Sequence, residues 1–224
     1  MHINLPDNTK HWIGIAEKFL ETTQPWEVEA EMNEGKVPDE VDQKHRQIAI
    51  DLGLSSMDIP KDIGGQQLSN LEQVAVWEVL GRSTNALTWC FSEPQAWMLE
   101  ACNQQQIDKY ILPLMDGRKH ECYAITEPES GSELDVGATA KKVEGGYIVN
   151  GEKWFVTGAN HADFFFIQAV IQDGEDNIGD AFFFLDMDQE GIEHVRTPKF
   201  SHTFDSHHPI YKFNDVFIPE ENLI

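Results

Sequence analysis

The residues best suited to chemistry lie in the second half of the 224-residue chain. The segment Tyr123-Ala-Ile-Thr-Glu-Pro-Glu-Ser-Gly-Ser-Glu-Leu-Asp135 reads as a strand that ends in Thr126-Glu127-Pro128 and opens into a loop with Ser130, Gly131 and Ser132. Such a loop offers free backbone N–H groups and hydroxyls, which suit the carbonyls of a flavin or a phosphate. Composition alone also fits an ordinary surface turn. A second segment, Gly146-Tyr-Ile-Val-Asn-Gly151-Glu-Lys153, has the glycines and lysine of a phosphate cradle but fails as one. Glu152 separates glycine from lysine, no Ser or Thr follows, and the glycines flank a strand, so hairpin turns are the reading. No G-x-G-x-x-G supports a Rossmann dinucleotide site. His202, His207 and His208 near Asp205 could ligate a metal. Adjacent histidines on an extended strand point to opposite faces, so the group reads as a polar loop and no metal site is expected.

Two kinds of element must position these segments. The first half is helical in pattern. After Leu5-Pro6-Asp7, Trp12, Ile13, Ala16, Phe19 and Leu20 share one helix face until Pro25 ends the run. A second helix follows Pro38, with Val41, Ile48 and Leu52 inward, and stops near Gly53. Met57 to Gly65 has turn chemistry. Ser69 and Glu72 then make an S-x-x-E capping box, Leu71, Val74, Ala75 and Leu80 form the apolar face, and Gly81 is the C-cap. Further helices are predicted from Pro94 to about Cys102 and from Gln105 to Met115.

Near His120 the texture changes to short β-rich runs: Cys122 to Ile125, Thr139 to Val143, Tyr147 to Val149, Trp154 to Thr157, Phe164 to Val170, Ala181 to Leu185 and Tyr211 to Phe217. Gly145-Gly146 joins two of them as a two-residue hairpin, and Asn150-Gly151 marks another tight turn. The boundary falls between Gly117 and Glu121, giving domains 1–118 and 119–224. The fold class is α+β: an all-helical N-terminal domain followed by a small antiparallel β-barrel or sandwich.

Charge excludes several function classes. Thirty-nine acidic residues against 16 basic ones leave a net charge of −23. A surface this anionic repels phosphate backbones and anionic headgroups, so neither nucleic acid nor a membrane surface is an expected partner. The acid serves solubility. The hydrophobic fraction of 41% permits a packed core. Cys90, Cys102 and Cys122 have no CxxC spacing and read as buried thiols of a reducing compartment. Glu17, Glu21, Glu27 and Glu29 precede the first arginine, Arg46, the opposite of a mitochondrial presequence. No apolar run approaches the roughly 20 residues that span a bilayer, and the chain reads as cytoplasmic.

The 123–135 segment resembles the signature of acyl-CoA dehydrogenases: small apolar–aliphatic–Thr–Glu–Pro–x–x–Gly–Ser–acid. It does not stand alone. Gly151-Glu-Lys-Trp-Phe-Val-Thr157 is similar to the family's second flavin segment, whose aromatic–aliphatic–Thr trio ends a strand. Ile59-Pro-Lys-Asp-Ile-Gly-Gly65 resembles its Pro–x–x–aromatic/aliphatic–Gly–Gly turn, followed by a helix ending Glu78-Val-Leu-Gly-Arg82. Gln106-Ile-Asp-Lys-Tyr-Ile-Leu-Pro-Leu-Met-Asp-Gly117 resembles the helix before the β-domain, and Phe213-Asn-Asp-Val-Phe-Ile-Pro-Glu-Glu-Asn-Leu-Ile224 the strand that closes it. The resemblance spans nearly the whole chain in order.

The resemblance implies FAD as cofactor and α,β-dehydrogenation of an acyl-CoA thioester, with hydride passing to flavin N5, a reaction of fatty-acid metabolism. Tyr123, Ile125 and Thr126 are implied to line the flavin, with Thr126 donating to the pyrimidine edge. Gly131 and Ser132 approach the pyrophosphate, and Ser132 also faces acyl-CoA. Phe155, Val156 and Thr157 lie along the isoalloxazine, with Thr157 near N5. Gln95, Met98 and Leu99 floor the acyl cavity, where bulky Trp97 and Met98 favour short chains; core packing is the other reading of that pair. Electron-transfer flavoprotein is the implied acceptor, and a homo-oligomer, tetramer or dimer, the implied assembly. A C-terminal helical bundle with the glutamate base is expected beyond Ile224, so no catalytic residue is assigned in this chain, and the isolated chain is expected to be inactive. An acyl-CoA oxidase, a flavin-dependent monooxygenase and a truncated non-catalytic partner protein remain alternatives on the same scaffold. The sequence departs from the family pattern at Glu133 (usually Asp), Val136 (usually small) and Phe155 (often Trp). His202-Thr-Phe-Asp-Ser-His-His-Pro209 replaces an Arg-containing stretch.

Overall fold

The structure is a computed structural model that describes residues 4–130, 136–201 and 208–224. Contacts divide the chain into two units. One runs to Glu100 and resumes over Ile111–Arg118; the other comprises Ala101–Tyr110 and Lys119–Ile224.

The first unit is helical. Its first helices are α1 (Asp7–Thr23), α2 (Glu27–Met32), α3 (Asp39–Asp51), α4 (Asn70–Leu80) and α5 (Asn85–Thr88). α1 buries Trp12, Ala16, Phe19 and Leu20 along one face, as its spacing predicts. They join Ala49, Leu54, Met57, Val76, Val79, Leu80 and Phe91 in one core. Phe91 meets Phe19 edge-on at 5.8 Å and stacks on Trp77 at 6.4 Å. A side chain as fully enclosed as Phe19 contributes about 1.5–3 kcal/mol by burial. The Ser69–Glu72 capping box forms in full, with Glu72 Oε2 taking the Ser69 backbone N–H at 2.7 Å.

One expectation fails here, and one element carries no expectation. α4 was assigned a face through Leu71 and Val74, yet Val74 is 66% exposed and the buried residues are Val76, Val79 and Leu80. Apolar residues nearly encircle this helix, so periodicity cannot choose the inward side. α2 was not foreseen, because it buries only Ala30 and has no apolar stripe to detect. The turn before α4 matches its reading. Gly64 takes φ +94°, and Gly65 donates its N–H to the Pro60 carbonyl at 2.9 Å.

Next along the chain come α6 (Ala96–Ala101), α7 (Gln104–Gln106) and α8 (Leu112–Met115), with a widened π-turn over Ile107–Ile111. The single helix expected from Gln105 to Met115 is thus interrupted just before Pro113. Proline has no N–H to bond the carbonyl four residues back, and a local π-turn accommodates that loss.

The second unit is a curled sheet of β1 (Glu121–Ala124), β2 (Thr139–Val143), β3 (Gly146–Lys153), β4 (Phe164–Asp173), β5 (Asp176–Asp186), β6 (Ile192–Arg196) and β7 (Ile210–Pro219). The α+β class holds, and the sheet is mixed rather than wholly antiparallel. β4 pairs with β5 along one edge. Its other edge takes β1 at Phe164–Ile167 and then β2 at Val170–Gln172, both parallel. β1 and β2 therefore lie one after the other along that edge and run in the same direction. Cys122, Ala124, Val149, Phe165, Ile167, Phe183, Phe213 and Val216 fill the core on one face.

The β2–β3 hairpin forms, turning at Glu144–Gly145 with Gly145 at φ +80°. Gly146 already belongs to β3, where a Cβ would meet the Ile218 carbonyl at 2.1 Å. The tight turn expected at Asn150-Gly151 is absent: β3 runs straight through it. The irregularity lies opposite, where β7 accommodates an extra residue around Asp215 at φ +51°. The Asn150 side chain braces it, donating to Asp215 Oδ1 and accepting the Asp215 N–H, both at 2.9 Å. β6 was missed because Glu193, His194, Val195 and Arg196 are all exposed and leave no alternation.

Candidate functional site

The site is built where the chain leaves the β4 edge. Beyond Ala124 the backbone turns onto the end of β3. The Thr126 carbonyl accepts the Trp154 N–H at 2.8 Å, and the Ile125 carbonyl accepts Lys153 Nζ at 3.0 Å. The same ammonium lies 2.6 Å from Glu127 Oε1, with the lysine side chain 0% and the glutamate 10% exposed. The Glu127 carboxylate also accepts the N–H groups of Gly137 at 2.6 Å and Ala138 at 2.9 Å. One half-buried carboxylate thus ties Gly137 and Ala138 to the end of β3. Burial pulls the Lys153 ammonium below the ordinary lysine value, and its bond to Glu127 opposes that shift.

Trp154 to Thr157, expected as a strand, is not one. β3 ends at Lys153, and Phe155 takes φ +57°, which breaks the ladder. Trp154 and Val156 spend their N–H groups outside any sheet, on the Thr126 carbonyl and on the Pro209 carbonyl at 2.9 Å. The result is a knuckle that presents alternate side chains in opposite directions. Val156 is buried in the sheet core, whereas Phe155 is 41% exposed and Thr157 is also at the surface. A left-handed phenylalanine costs conformational energy, and the bonds on both sides of it hold it there.

Among the assigned flavin residues, Tyr123 points away from the core that takes its neighbours Cys122 and Ala124. It is 37% exposed and meets Phe166 edge-on at 5.3 Å. Ile125 is half-buried and Thr126 exposed. The structure brings Thr126 against Trp154, next to Phe155, so the two segments are one surface feature. Val156 is placed as a core anchor for the knuckle. Gly131 and Ser132 lie outside the described residues, as do His202, Asp205 and His207. Gln95, Met98 and Leu99 belong to the helical unit. There Met98 is buried, Leu99 is half-buried, and Gln95 Nε2 donates to the Glu93 carbonyl at 3.1 Å. Trp97 faces outward, which leaves Met98 as the inward member of that bulky pair.

Three residues were not assigned to this site from sequence. Lys153 and Glu127 form the clamp, and a usable signal existed for the lysine. Tyr147, Val149 and Lys153 share the inward parity of β3, so a lysine at that end needs a buried acid. His208 is the third. Its Nδ1 lies 2.9 Å from Thr157 Oγ1, a pairing across 51 positions that no local pattern announces.

Tyr123 and Phe155 present exposed aromatic rings, and Thr126 and Thr157 exposed hydroxyls. That set fits a flavin ring system, which needs stacking surface and donors at its carbonyl and nitrogen edges.

Comparisons with known proteins agree with this reading at the level of family. The family profile for the acyl-CoA dehydrogenase N-terminal domain matches residues 10–118, and that for the middle domain matches residues 122–216. A probable medium-chain specific acyl-CoA dehydrogenase 2, mitochondrial, of Caenorhabditis briggsae is 30% identical over 217 residues, covering 93% of this chain and 49% of that protein. A subunit of the caffeyl-CoA reductase–Etf complex of Acetobacterium woodii is 28% identical over 184 residues, covering 80% of this chain and 48% of its own length. Among solved structures, an acyl-CoA dehydrogenase complexed with FAD from Bacillus anthracis superimposes with a TM-score of 0.80 at 25% identity, over 98% of this chain and 38% of that one. The chain spans about half the length of the curated relatives it matches, or less. It belongs to the acyl-CoA dehydrogenase family, of which it carries the N-terminal and middle domains.

Proposed function

We propose that the protein containing this chain is an FAD-dependent dehydrogenase of acyl-CoA thioesters, and that this chain supplies the flavin seat and one wall of the acyl cavity. The observation that carries the reading is the joining of the two flavin segments into one surface feature by the Lys153–Glu127 clamp and the Trp154-to-Thr126 bond. FAD, when bound, supplies the hydride acceptor. Thr126 donates toward its pyrimidine edge and Thr157 toward N5, where fixed donors favour the charge that accumulates during reduction. Tyr123, Ile125 and Phe155 line the ring system, and Val156, buried in the core, holds Phe155 and Thr157 facing away from it. Gly131 and Ser132 take the pyrophosphate by the family pattern, with Ser132 also toward acyl-CoA. Gln95, Met98 and Leu99 floor the acyl cavity. No Asp or Glu of this chain is assigned as the base that removes the α-proton. A relative named as part of an Etf complex supports electron-transfer flavoprotein as the acceptor.

The test is flavin content. Full-length protein purified and denatured should release FAD rather than FMN, close to one per chain. Phe155→Ala should lower retention while the fold, followed by circular dichroism, persists. A protein that takes up no flavin on reconstitution would refute the reading.

A further inference from the structure

Thr157 Oγ1 has two partners within bonding distance: the Phe155 carbonyl at 3.3 Å and His208 Nδ1 at 2.9 Å. A hydroxyl carries one proton. If that proton goes to the imidazole, Oγ1 and the Phe155 carbonyl oxygen face each other at 3.3 Å with no hydrogen between them. If Nδ1 carries the hydrogen, both contacts become bonds: the imidazole donates to Oγ1, and the hydroxyl donates to the carbonyl. The second arrangement is the one that satisfies all three groups.

The ring is held for this task. The Phe200 ring meets His208 edge-on with centroids 5.0 Å apart, and meets Phe155 edge-on at 5.5 Å. The residue after His208 is pinned as well, since the Pro209 carbonyl accepts the Val156 N–H at 2.9 Å. Val156 and Thr157 are therefore both bonded to the stretch that carries His208.

We propose that His208 is a positioning residue that sets the polarity of the Thr157 hydroxyl, donating Nδ1–H to Oγ1 so that the hydroxyl proton is directed outward. The proposal rests on the flavin reading above. The two bond lengths give it its function. The imidazole contact has ordinary length, while the 3.3 Å contact to Phe155 is longer than the usual O–H···O bond of about 2.5–3.0 Å and is weak. The hydroxyl proton can therefore leave the Phe155 carbonyl for a flavin nitrogen at small cost, while the imidazole bond stays in place. An imidazole of the opposite tautomer would hold that proton and leave Thr157 with nothing to donate. His208 touches neither substrate nor cofactor in this scheme; it acts through Thr157.

Two readouts test it, one independent of the cofactor. Long-range ¹H–¹⁵N NMR of the cofactor-free protein, at a pH where the ring is neutral, should show Nδ1 of His208 protonated, with its shift displaced by Thr157→Val. An unprotonated Nδ1, or a shift indifferent to Thr157→Val, overturns the proposal. In FAD-loaded full-length protein, His208→Leu should slow flavin reduction roughly 2- to 10-fold, the scale of one neutral hydrogen bond. His208→Asn, which keeps an N–H near the Nδ1 position, should recover most of that loss. His208→Leu added to Thr157→Val should cost nothing further, because both remove the same donor. Multiplicative losses in the double variant, or no rescue by asparagine, refute the positioning role. If the protein binds no FAD, the flavin reading fails while the NMR result still decides the tautomer.

Discussion

Lys153 Nζ sits 2.6 Å from Glu127 Oε1 inside the β-unit, and this pair joins the two segments that the family pattern assigns to the flavin. The acid is more than a counter-ion. It also takes the N–H groups of Gly137 and Ala138, so it ties them to the end of β3. Ion pairs of this kind are weak evidence for stability against an apolar alternative, yet breaking one from a single side is costly.

Lys153→Met should therefore destabilise the chain by about 3–5 kcal/mol, because it leaves Glu127 without its cation. For a chain of this size that corresponds to a fall in Tm on the order of 10 °C. Calorimetry of the two proteins measures it. A change below about 1 kcal/mol, the range of exposed pairs, would mean that water reaches the carboxylate and the clamp is not closed.

The capping box of α4 has a pH signature. Ser69 through its side chain and backbone N–H, with Asn8 beside them, holds the Glu72 carboxyl below its ordinary value of 4.5. A carboxyl depressed in the folded state contributes stability that is full above 4.5 and is lost as pH falls through the folded value. Wild type should accordingly exceed Glu72→Gln in denaturant midpoint at neutral pH and lose that advantage on acidification. Ser69→Ala should cost about 1 kcal/mol at neutral pH. A Glu72→Gln difference that does not vary between neutral and acid pH would contradict the box.

Two glycines should respond in opposite directions to alanine. At Gly65 a Cβ would stand 2.0 Å from the Ile59 carbonyl oxygen, so the turn ahead of α4 must open. At Gly14, inside α1, it would meet nothing within 4 Å. Gly14→Ala should stabilise by about 0.5–1 kcal/mol through helix propensity. Gly65→Ala should destabilise by more than that. Equal effects in urea titrations would count against the described turn.

The thiols should be inert in the native chain. Burial pushes Cys90 to about 12 and Cys102 to about 11, and raises Cys122 as well. Thiolate is the reactive form, so alkylation near pH 8 should be slow on all three and become fast in denaturant. Rapid labelling of a native cysteine would locate an opening in the core around it.

The sequence was most legible where one local rule decided the outcome. The Trp12–Leu20 face, the Ser69–Glu72 box and the Gly145 hairpin each follow from spacing or φ alone. Legibility ended where a tertiary bond overrode the local pattern. Trp154 to Thr157 has strand composition, yet Trp154 and Val156 bond to Thr126 and Pro209, and Phe155 turns left-handed. Asn150-Gly151 has turn composition, yet β3 passes through it while Asn150 braces Asp215. Likewise, the parallel placement of β1 and β2 is a property of the β4 edge, invisible in either strand. For the candidate site, family motifs nominate Tyr123, Thr126, Phe155 and Thr157, and the structure leaves all four exposed. The Lys153–Glu127 clamp and the His208 contact needed the fold, since they join residues 26 and 51 positions apart.

On the proposed function, these two joined segments seat an FAD that accepts hydride from an acyl-CoA thioester. Anaerobic titration of the FAD-loaded full-length protein with acyl-CoA thioesters of graded chain length tests it most directly. The oxidised-flavin absorbance should bleach on adding at least one of them, and Thr157→Val should slow this step while retaining FAD. Bleaching by NADH or NADPH, with no response to any acyl-CoA, would contradict it and assign the scaffold to a monooxygenase-type reaction.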